Sequence, residues 1–229
     1  QLLQPDATLV CISRTTNAAL AAKAAAAGAT LEQWALDLAD AASAARRVED
    51  WLEAQSGTTF DSATLINNAA ALTRIVPLES LDAQELARAL RVGLEAPLLL
   101  TSAFLRATSG WRARREGQCK VLNVSSGLGR SAMASQAAYC AVKAGLDHFS
   151  RSVALDQLHA PHAARIVSLA PGVIDTDMQV QLRAGDPAQF PDLARFLALK
   201  TGGQLDTPAA AAATRIAYLQ RPDFSTQPV

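Results

Sequence analysis

Cysteine is scarce in this sequence, with three in 229 residues, at Cys11, Cys119 and Cys140. An odd, widely spaced set without a C-x-x-C pair provides neither a disulfide framework nor a metal site, so we expect reduced thiols and no bound metal in a cytoplasmic protein. Charge of one sign is also absent, because 21 basic residues balance 21 acidic ones. This balance gives no electrostatic basis for binding nucleic acid or an anionic membrane. Long hydrophobic runs are missing as well, since none reaches the roughly 18 residues that cross a bilayer.

Short apolar segments alternate with helical patterns along the chain. Strands are predicted at 7–13, within 29–38, and at 62–67, 120–124 and 165–169. Helices are predicted at 16–27, 41–55, 81–108 (bent near Pro97), 135–158 and 208–219. Strands that are apolar throughout favour a parallel sheet covered on both faces. The predicted fold is therefore one α/β domain over 1–229, a Rossmann-like doubly wound sheet in three layers, with a polar helical lid at 175–200.

Polar residues stand where the predicted strands end. The pairs are Ser13-Arg14, Asp37-Leu38, Asn67-Asn68, Ser125-Ser126 and Pro171-Gly172. Ligands of open parallel sheets bind beyond the carboxyl ends of the strands, so these pairs predict a single crevice. By contrast, the arginines at 112, 114 and 115 are expected in a solvated loop.

Three residues in this crevice indicate a reaction. Tyr139 and Lys143 are four apart in a predicted helix and lie on one face, and Ser126 closes the apolar run VLNVSS. A phenol beside an ammonium, with a hydroxyl nearby, can give a proton to a carbonyl oxygen. Taken alone, the same residues also fit a helix-surface pair and a strand-end turn.

In its motifs the chain resembles the short-chain dehydrogenases/reductases over nearly its whole length. The matching segments are NNAA (67–70), SS (125–126), YCAVK (139–143) and PGVIDT (171–176). NVSSGLGR, AYCAVKAGLDHFSRSVALDQ and APGVIDTDMQ are most similar to the sepiapterin reductase and benzil reductase branch. The resemblance implies NADP(H)-dependent reduction of a small ketone or diketone, with Tyr139 as proton donor and Ser126 orienting the carbonyl. It also implies a homodimer or homotetramer.

The resemblance further implies which residues hold the cofactor. Lys143 would hold the nicotinamide ribose and, with the positive ring, lower the pKa of Tyr139 by about 3 units. Arg14 would receive a 2′-phosphate, which favours NADPH, unless it is a solvated strand-end residue. The remaining predicted contacts are Asp37 and Leu38 at the adenine, Asn67 and Ala69 at its ribose, Pro171 and Gly172 under the nicotinamide, and Ile174 and Thr176 at the carboxamide. Helix-start, turn and strand-end roles remain open for Asp37, Asn67 and the Pro171-Gly172 pair.

Two departures from the family pattern stand out. No T-G-x-x-x-G-x-G turn occurs, and QLLQPDATLVCISR resembles the end of a first helix followed by a second strand. We therefore expect the first strand and pyrophosphate loop to be lacking, sheet edges to be unpaired and dinucleotide binding to be weak. In addition, RVGLEAP places Gly93 where the family often has asparagine. These departures support the alternative of a non-catalytic dinucleotide-binding regulatory or scaffold protein.

One further motif is a dinucleotide fingerprint in form only. GLGRSA, which starts at Gly127, fits G-x-G-x-x-A after a strand, and Asp147 follows twenty residues later. However, Asp147 falls inside a helical pattern instead of at the end of a second strand. The segment also lies in the loop between Ser126 and Tyr139, which we expect to face substrate, so we reject the fingerprint interpretation.

Overall fold

The computed structural model describes residues 2–55, 60–114 and 118–229. Strands and helices alternate along the chain, as predicted. The strands are β1 Thr8–Ser13, β2 Thr30–Ala35, β3 Ala63–Asn67, β4 Cys119–Val124 and β5 Arg165–Leu169. The helices are α1 Ala18–Ala26, α2 Ala41–Ala54, α3 Ala83–Leu90, α4 Ala96–Ala107, α5 Ser109–Arg114, α6 Ala137–Leu158, α7 Asp177–Arg183, α8 Leu193–Thr201 and α9 Pro208–Leu219.

All the described strand pairs are parallel, which confirms the predicted α/β fold. β1 pairs with β2 in one sheet, and β3, β4 and β5 pair in that order in a second. The register sets Asn67 opposite Asn123 and Asn123 opposite Ser168. Within the described ranges no ladder joins the two sheets. Ile66, on the edge strand β3 of the second sheet, is 37% exposed.

The largest core lies between helices α2 and α4 and the sheets. Val48 and Leu52 of α2 are buried there, together with Leu100 and Phe104 of α4. Asp40 starts α2 by accepting a hydrogen bond from the Ser43 amide, which satisfies one free N–H of the first turn. Because apolar residues recur on one face of α2, that face is covered and the helix is held against the sheet.

The predicted helix at 81–108 is interrupted by a π-helical turn, Arg91–Glu95, that separates α3 from α4. Pro97 lies in the first turn of α4, where a missing N–H costs nothing. Gly93 in the π turn packs against α6 so closely that a Cβ there would be 2.6 Å from Val142 Cγ1. The absence of a side chain at Gly93 is what lets these two helices meet.

The solvated loop predicted around Arg112 is wrong. Ser109–Arg114 forms α5, and Arg112 is 8% exposed. Its guanidinium donates to Gln157 Oε1 at 2.8 Å and to the Leu105 carbonyl at 2.9 Å. These two acceptors compensate for burial of the charge, and a run of arginines did not reveal them. Arg115 lies outside the described residues.

The segment predicted as a lid is helical but not simply polar. It contains α7 and α8, and Leu182, Phe190 and Phe196 form a small core of their own. The rings of Phe190 and Phe196 stack with centroids 5.5 Å apart. None of the helices in the described ranges has the length and apolar character needed to cross a membrane.

Candidate active site

Strand β4 and helix α6 bring Ser126, Tyr139 and Lys143 together. Ser126 follows β4 by two residues, and Tyr139 lies in the first turn of α6 with Lys143 one turn further on. The Ser126 side chain lies near enough to the Tyr139 hydroxyl to act on the pKa of that phenol, which it lowers. Tyr139 is 8% exposed and Lys143 is 2% exposed, while Ser126 is half-buried. The three residues picked out by spacing therefore form one cluster, and not a helix-surface pair.

Lys143 is a buried amine at the centre of the cluster. Its Nζ donates to the Val124 carbonyl at 2.6 Å and lies 5.6 Å from the centroid of the Tyr139 ring. Burial lowers the pKa of Lys143 from 10.5 to about 8, although the negative charge of Asp147 acts to raise it. An amine with this pKa can change protonation state near neutral pH.

Burial dominates the acidity of Tyr139 as well. It raises the pKa of the phenol, and the nearby Ser126 side chain only partly opposes this effect. The lowered pKa predicted from the sequence is therefore not produced by the protein groups alone. The physical reason is that the apolar surroundings disfavour the phenolate, and the positive nicotinamide ring invoked in that prediction is not a protein group.

A buried amide network lies beneath the cluster. Asn67 Nδ2 donates to Asn123 Oδ1 at 2.8 Å and to Thr101 Oγ1 at 3.2 Å, and Asn123 Nδ2 donates to Ser150 Oγ at 2.8 Å. The network joins β3, β4, α4 and α6. Asn67 thus directs its side chain into the core. Sequence reasoning missed Asn123, although an asparagine inside the apolar run VLNV signals a buried polar group that needs a partner.

The residues predicted for the adenine end lie at the ends of β1 and β2. Arg14 is exposed directly after β1. Asp37 is also exposed, and its carboxylate accepts from the Ala39 amide at 3.0 Å and pairs with Arg88 at 3.0 Å. These contacts, with a smaller effect of Arg14, lower the pKa of Asp37. Leu38 packs against the main core instead.

The residues predicted for the nicotinamide end follow β5. Pro171 and Gly172 turn the chain, and Gly172 has a φ of +77° and is exposed. Ile174 forms an isolated bridge with Asp206, and Thr176 begins α7. Ala69 is exposed after β3. These positions keep open surface at the carboxyl ends of the strands, where the predicted crevice lies.

The loop before Tyr139 contacts the lid. Ser135 has a φ of 60°, and its hydroxyl donates to the Gln189 carbonyl. Met133 packs against the small core of α7 and α8. The loop that follows Ser126 therefore packs directly against the lid. No repeating pattern in the sequence points to this contact between segments far apart in the chain.

Comparison with known proteins finds similarity to dehydrogenases and reductases. The family model for short chain dehydrogenase matches residues 1–187. Benzil reductase ((S)-benzoin forming) of Bacillus cereus is 33% identical over 208 residues, covering 91% of this chain and 82% of that protein. Sepiapterin reductase of Xenopus tropicalis is 30% identical, covering 85% and 73%. A crystal structure of a short-chain dehydrogenase/reductase from Burkholderia vietnamiensis is 33% identical, with a TM-score of 0.62, covering 96% of this chain and 82% of that one.

Proposed function

Because the chain belongs to the short-chain dehydrogenase family, we propose that it is an NADPH-dependent reductase of a ketone or diketone carbonyl. The observation that carries the proposal is the clustering of the Ser126 and Tyr139 hydroxyls beside the buried amine of Lys143. This arrangement places two hydroxyls and a cation where a carbonyl oxygen can be bound and protonated. The similarity to a benzil reductase makes benzil the first substrate to test.

The donor set fits the nicotinamide end of a dinucleotide. Lys143 Nζ has three N–H groups, and its contact with the Val124 carbonyl leaves others for ribose hydroxyls. Gly172 is exposed after β5 beside the half-buried Pro171, with Ile174 and Thr176 following. When bound, the dinucleotide supplies the hydride for carbonyl reduction.

Each residue of the cluster has one task in the proposed reaction. The Ser126 hydroxyl donates to the carbonyl oxygen and orients the substrate. The Tyr139 hydroxyl gives its proton to the same oxygen as negative charge develops there. The Lys143 ammonium, 5.6 Å from the Tyr139 ring centroid, then stabilises the phenolate that remains. The Val124 carbonyl fixes the position of the ammonium throughout.

Preference for NADPH rests on Arg14. Its exposed guanidinium follows β1, and a planar guanidinium binds a phosphate through two parallel hydrogen bonds. The neighbouring carboxylate of Asp37 is already paired with Arg88. Arg14 is thus the cation that we assign to the 2′-phosphate.

Replacing Tyr139 by phenylalanine tests the proposal directly. The change removes one hydroxyl and keeps the ring, so we expect benzil-dependent NADPH oxidation to fall at least about 100-fold. Tyr218→Phe is the matched control, because the Tyr218 ring on α9 packs at a tilt against Phe224 outside the cluster and the variant should keep full activity. Full activity in Tyr139→Phe, with NADPH consumption followed by fluorescence, would contradict the assignment.

The alternative is a protein of the same fold that binds the dinucleotide without turnover. The close packing of Gly93 on Val142 favours this non-catalytic alternative. Position 93, where the family often has asparagine, has no side chain that could help to pass protons to the site. Tight NADPH binding without consumption across benzil, sepiapterin and simple ketones would support this alternative over the reductase.

We also propose that the protein forms a homodimer or homotetramer. Large apolar side chains are exposed on two of its helices: Leu90 is 44% exposed on α3, and Leu155 and Leu158 are 62% and 76% exposed on α6. Burial of such side chains between subunits is favourable. A monomeric mass by light scattering at micromolar concentration would exclude it.

A further inference from the structure

The sequence motif that was rejected as a dinucleotide fingerprint marks a real contact. Gly129, in the 3-10 turn Gly127–Gly129 after β4, packs against α6 at the helical turn that runs from Lys143 to Asp147. A Cβ at Gly129 would be 2.6 Å from Asp147 Oδ2 and 3.0 Å from the Lys143 carbonyl oxygen. Only glycine allows the segment after Ser126 to approach the helix this closely, so Gly129 and Asp147 form a matched pair.

Asp147 connects several parts of the site. Its carboxylate is on a residue that is 2% exposed. Oδ1 accepts from the Ser168 hydroxyl of β5 at 2.6 Å, and Oδ2 lies 3.5 Å from Arg130 Nε. Oδ2 accepts no hydrogen bond from the described residues, so the Arg130 guanidinium compensates only in part for its burial. A buried carboxylate of this kind is costly, and its presence beside the proposed reaction centre requires a reason.

The segment held by Asp147 is the one that begins with Ser126. The Ser126 hydroxyl accepts from the Leu128 amide at 3.2 Å, and the Gly129 amide donates to the Ser126 carbonyl at 3.0 Å. These bonds close a tight turn, so movement at Gly129 or Arg130 is transmitted to Ser126. The carboxylate therefore secures the turn to the helix that carries Tyr139.

We propose that Asp147 is a positioning residue, which fixes the Ser126 turn against α6 and supplies a negative charge one helical turn beyond Lys143. It acts through these residues and does not touch substrate. The inference rests on the proposed reductase function, which it deepens by naming a residue on which proton transfer depends.

The charges around Lys143 support the second part of this role. On its own helix, Lys143 is flanked by the titratable groups of Tyr139, Cys140 and Asp147, and Arg130 lies on the turn packed against that helix. Strand β4 contributes the neutral Val124 carbonyl. Burial lowers the pKa of Lys143, and Asp147 opposes that effect. Loss of the carboxylate charge would therefore let Lys143 lose its proton at a lower pH.

The test compares Asp147→Asn with Asp156→Asn, an exposed aspartate on the same helix. Asparagine keeps an oxygen that can accept from Ser168 but removes the charge. We expect kcat for benzil to fall by between about tenfold and 100-fold, with KM for NADPH changed less than about threefold. The alkaline limit of kcat should move to lower pH by at least about half a unit. Asp156→Asn should match wild type in kcat for benzil, in KM for NADPH and in the alkaline limit of kcat.

A second variant separates the effect of the Asp147 charge from the effect of its contact with Arg130. Arg130→Ala loosens the turn but leaves the carboxylate, so kcat should fall without any shift of the alkaline limit to lower pH. If Asp147→Asn keeps the wild-type kcat and pH profile, or loses activity only in proportion to its unfolded fraction, the proposal is wrong.

A readout without turnover distinguishes this proposal from the reductase function. The pH at which Lys143 becomes reactive toward an amine-acylating reagent, followed by mass spectrometry, should be lower in Asp147→Asn than in wild type. If this pH is lower in Asp147→Asn but the wild-type protein reduces no carbonyl, the reductase function is refuted and the effect of the Asp147 charge on Lys143 is supported. Benzil reduction by wild type, with an unshifted pH profile and unshifted Lys143 reactivity in the variant, would overturn the role of Asp147.

Discussion

Replacing Lys143 by methionine should change the way in which stability depends on pH. The lysine is 2% exposed, and burial lowers its pKa from 10.5 to about 8. Between these values the unfolded chain binds more protons than the folded one, so stability rises with pH. The destabilisation is fully present below about pH 8 and is relieved as the pH approaches 10.5. Methionine has a similar stem and no proton to lose, so the variant lacks this dependence.

The size of the effect follows from the same two values. The fall from 10.5 to about 8 corresponds to about 3 kcal/mol of destabilisation by the charged form. The linkage relation then gives a rise of about 1 kcal/mol in the wild-type free energy of unfolding, relative to the variant, from about pH 7 to 9. Loss of the bond to the Val124 carbonyl offsets part of any gain in the variant at pH 7, but it does not alter the pH slope.

Urea unfolding followed by tryptophan fluorescence measures this slope. The difference between wild type and Lys143→Met is the quantity to follow, because Cys119 and Tyr139, whose pKa values are raised by burial, titrate in both proteins. Lys23→Met, at an exposed lysine of α1, is the control and should run parallel to wild type. If Lys143→Met also runs parallel to wild type across this range, the amine is not desolvated as described.

Two further predictions concern the cofactor and the packing of helices. Arg14→Ala should lower kcat/KM with NADPH at least about tenfold and leave the value with NADH nearly unchanged, since a charged phosphate contact is worth roughly 1.5–3 kcal/mol. Arg151→Ala, at an exposed arginine of α6, is its control, and equal losses with both cofactors would contradict the assignment. Gly93→Ala should lower the free energy of unfolding by about 1–3 kcal/mol through contact with Val142. Adding Val142→Ala to this variant should recover part of the loss. The control is Gly110→Ala, which should not lower the free energy of unfolding because there is open space around Gly110. A Gly93→Ala protein as stable as wild type would show that the two helices move apart easily.

The strands and helices were largely predictable because their periodicity is local. β5 and α9 have the predicted bounds, and the other predicted strands and helices are close to theirs. The sequence did not predict the π turn at Arg91–Glu95, because that break depends on how Gly93 meets a different helix. Pro97 predicted a bend nearby, but this residue lies after the π turn and not within it.

The candidate site was predictable where chemistry and spacing coincide. Ser126, Tyr139 and Lys143 meet as predicted, whereas Asn67 faces the interior. Amide groups serve equally well in a core network or at a ligand, and the residues that decide between these roles come from other elements. Asp147 is the clearest case, because its partners lie on β5 and on the turn after β4, far from it in the chain.

The contact between Gly93 and Val142 also constrains how such a sequence can diverge. Any side chain at position 93 would start 2.6 Å from a Val142 methyl group, so the two positions cannot vary independently. A mutational path that enlarges residue 93 first passes through an overpacked protein, and a path that first shrinks the buried Val142 passes through a protein with a cavity. Either single change is therefore destabilising, and the second change relieves part of the loss. We expect these two positions to covary among chains that pack the two helices at this distance.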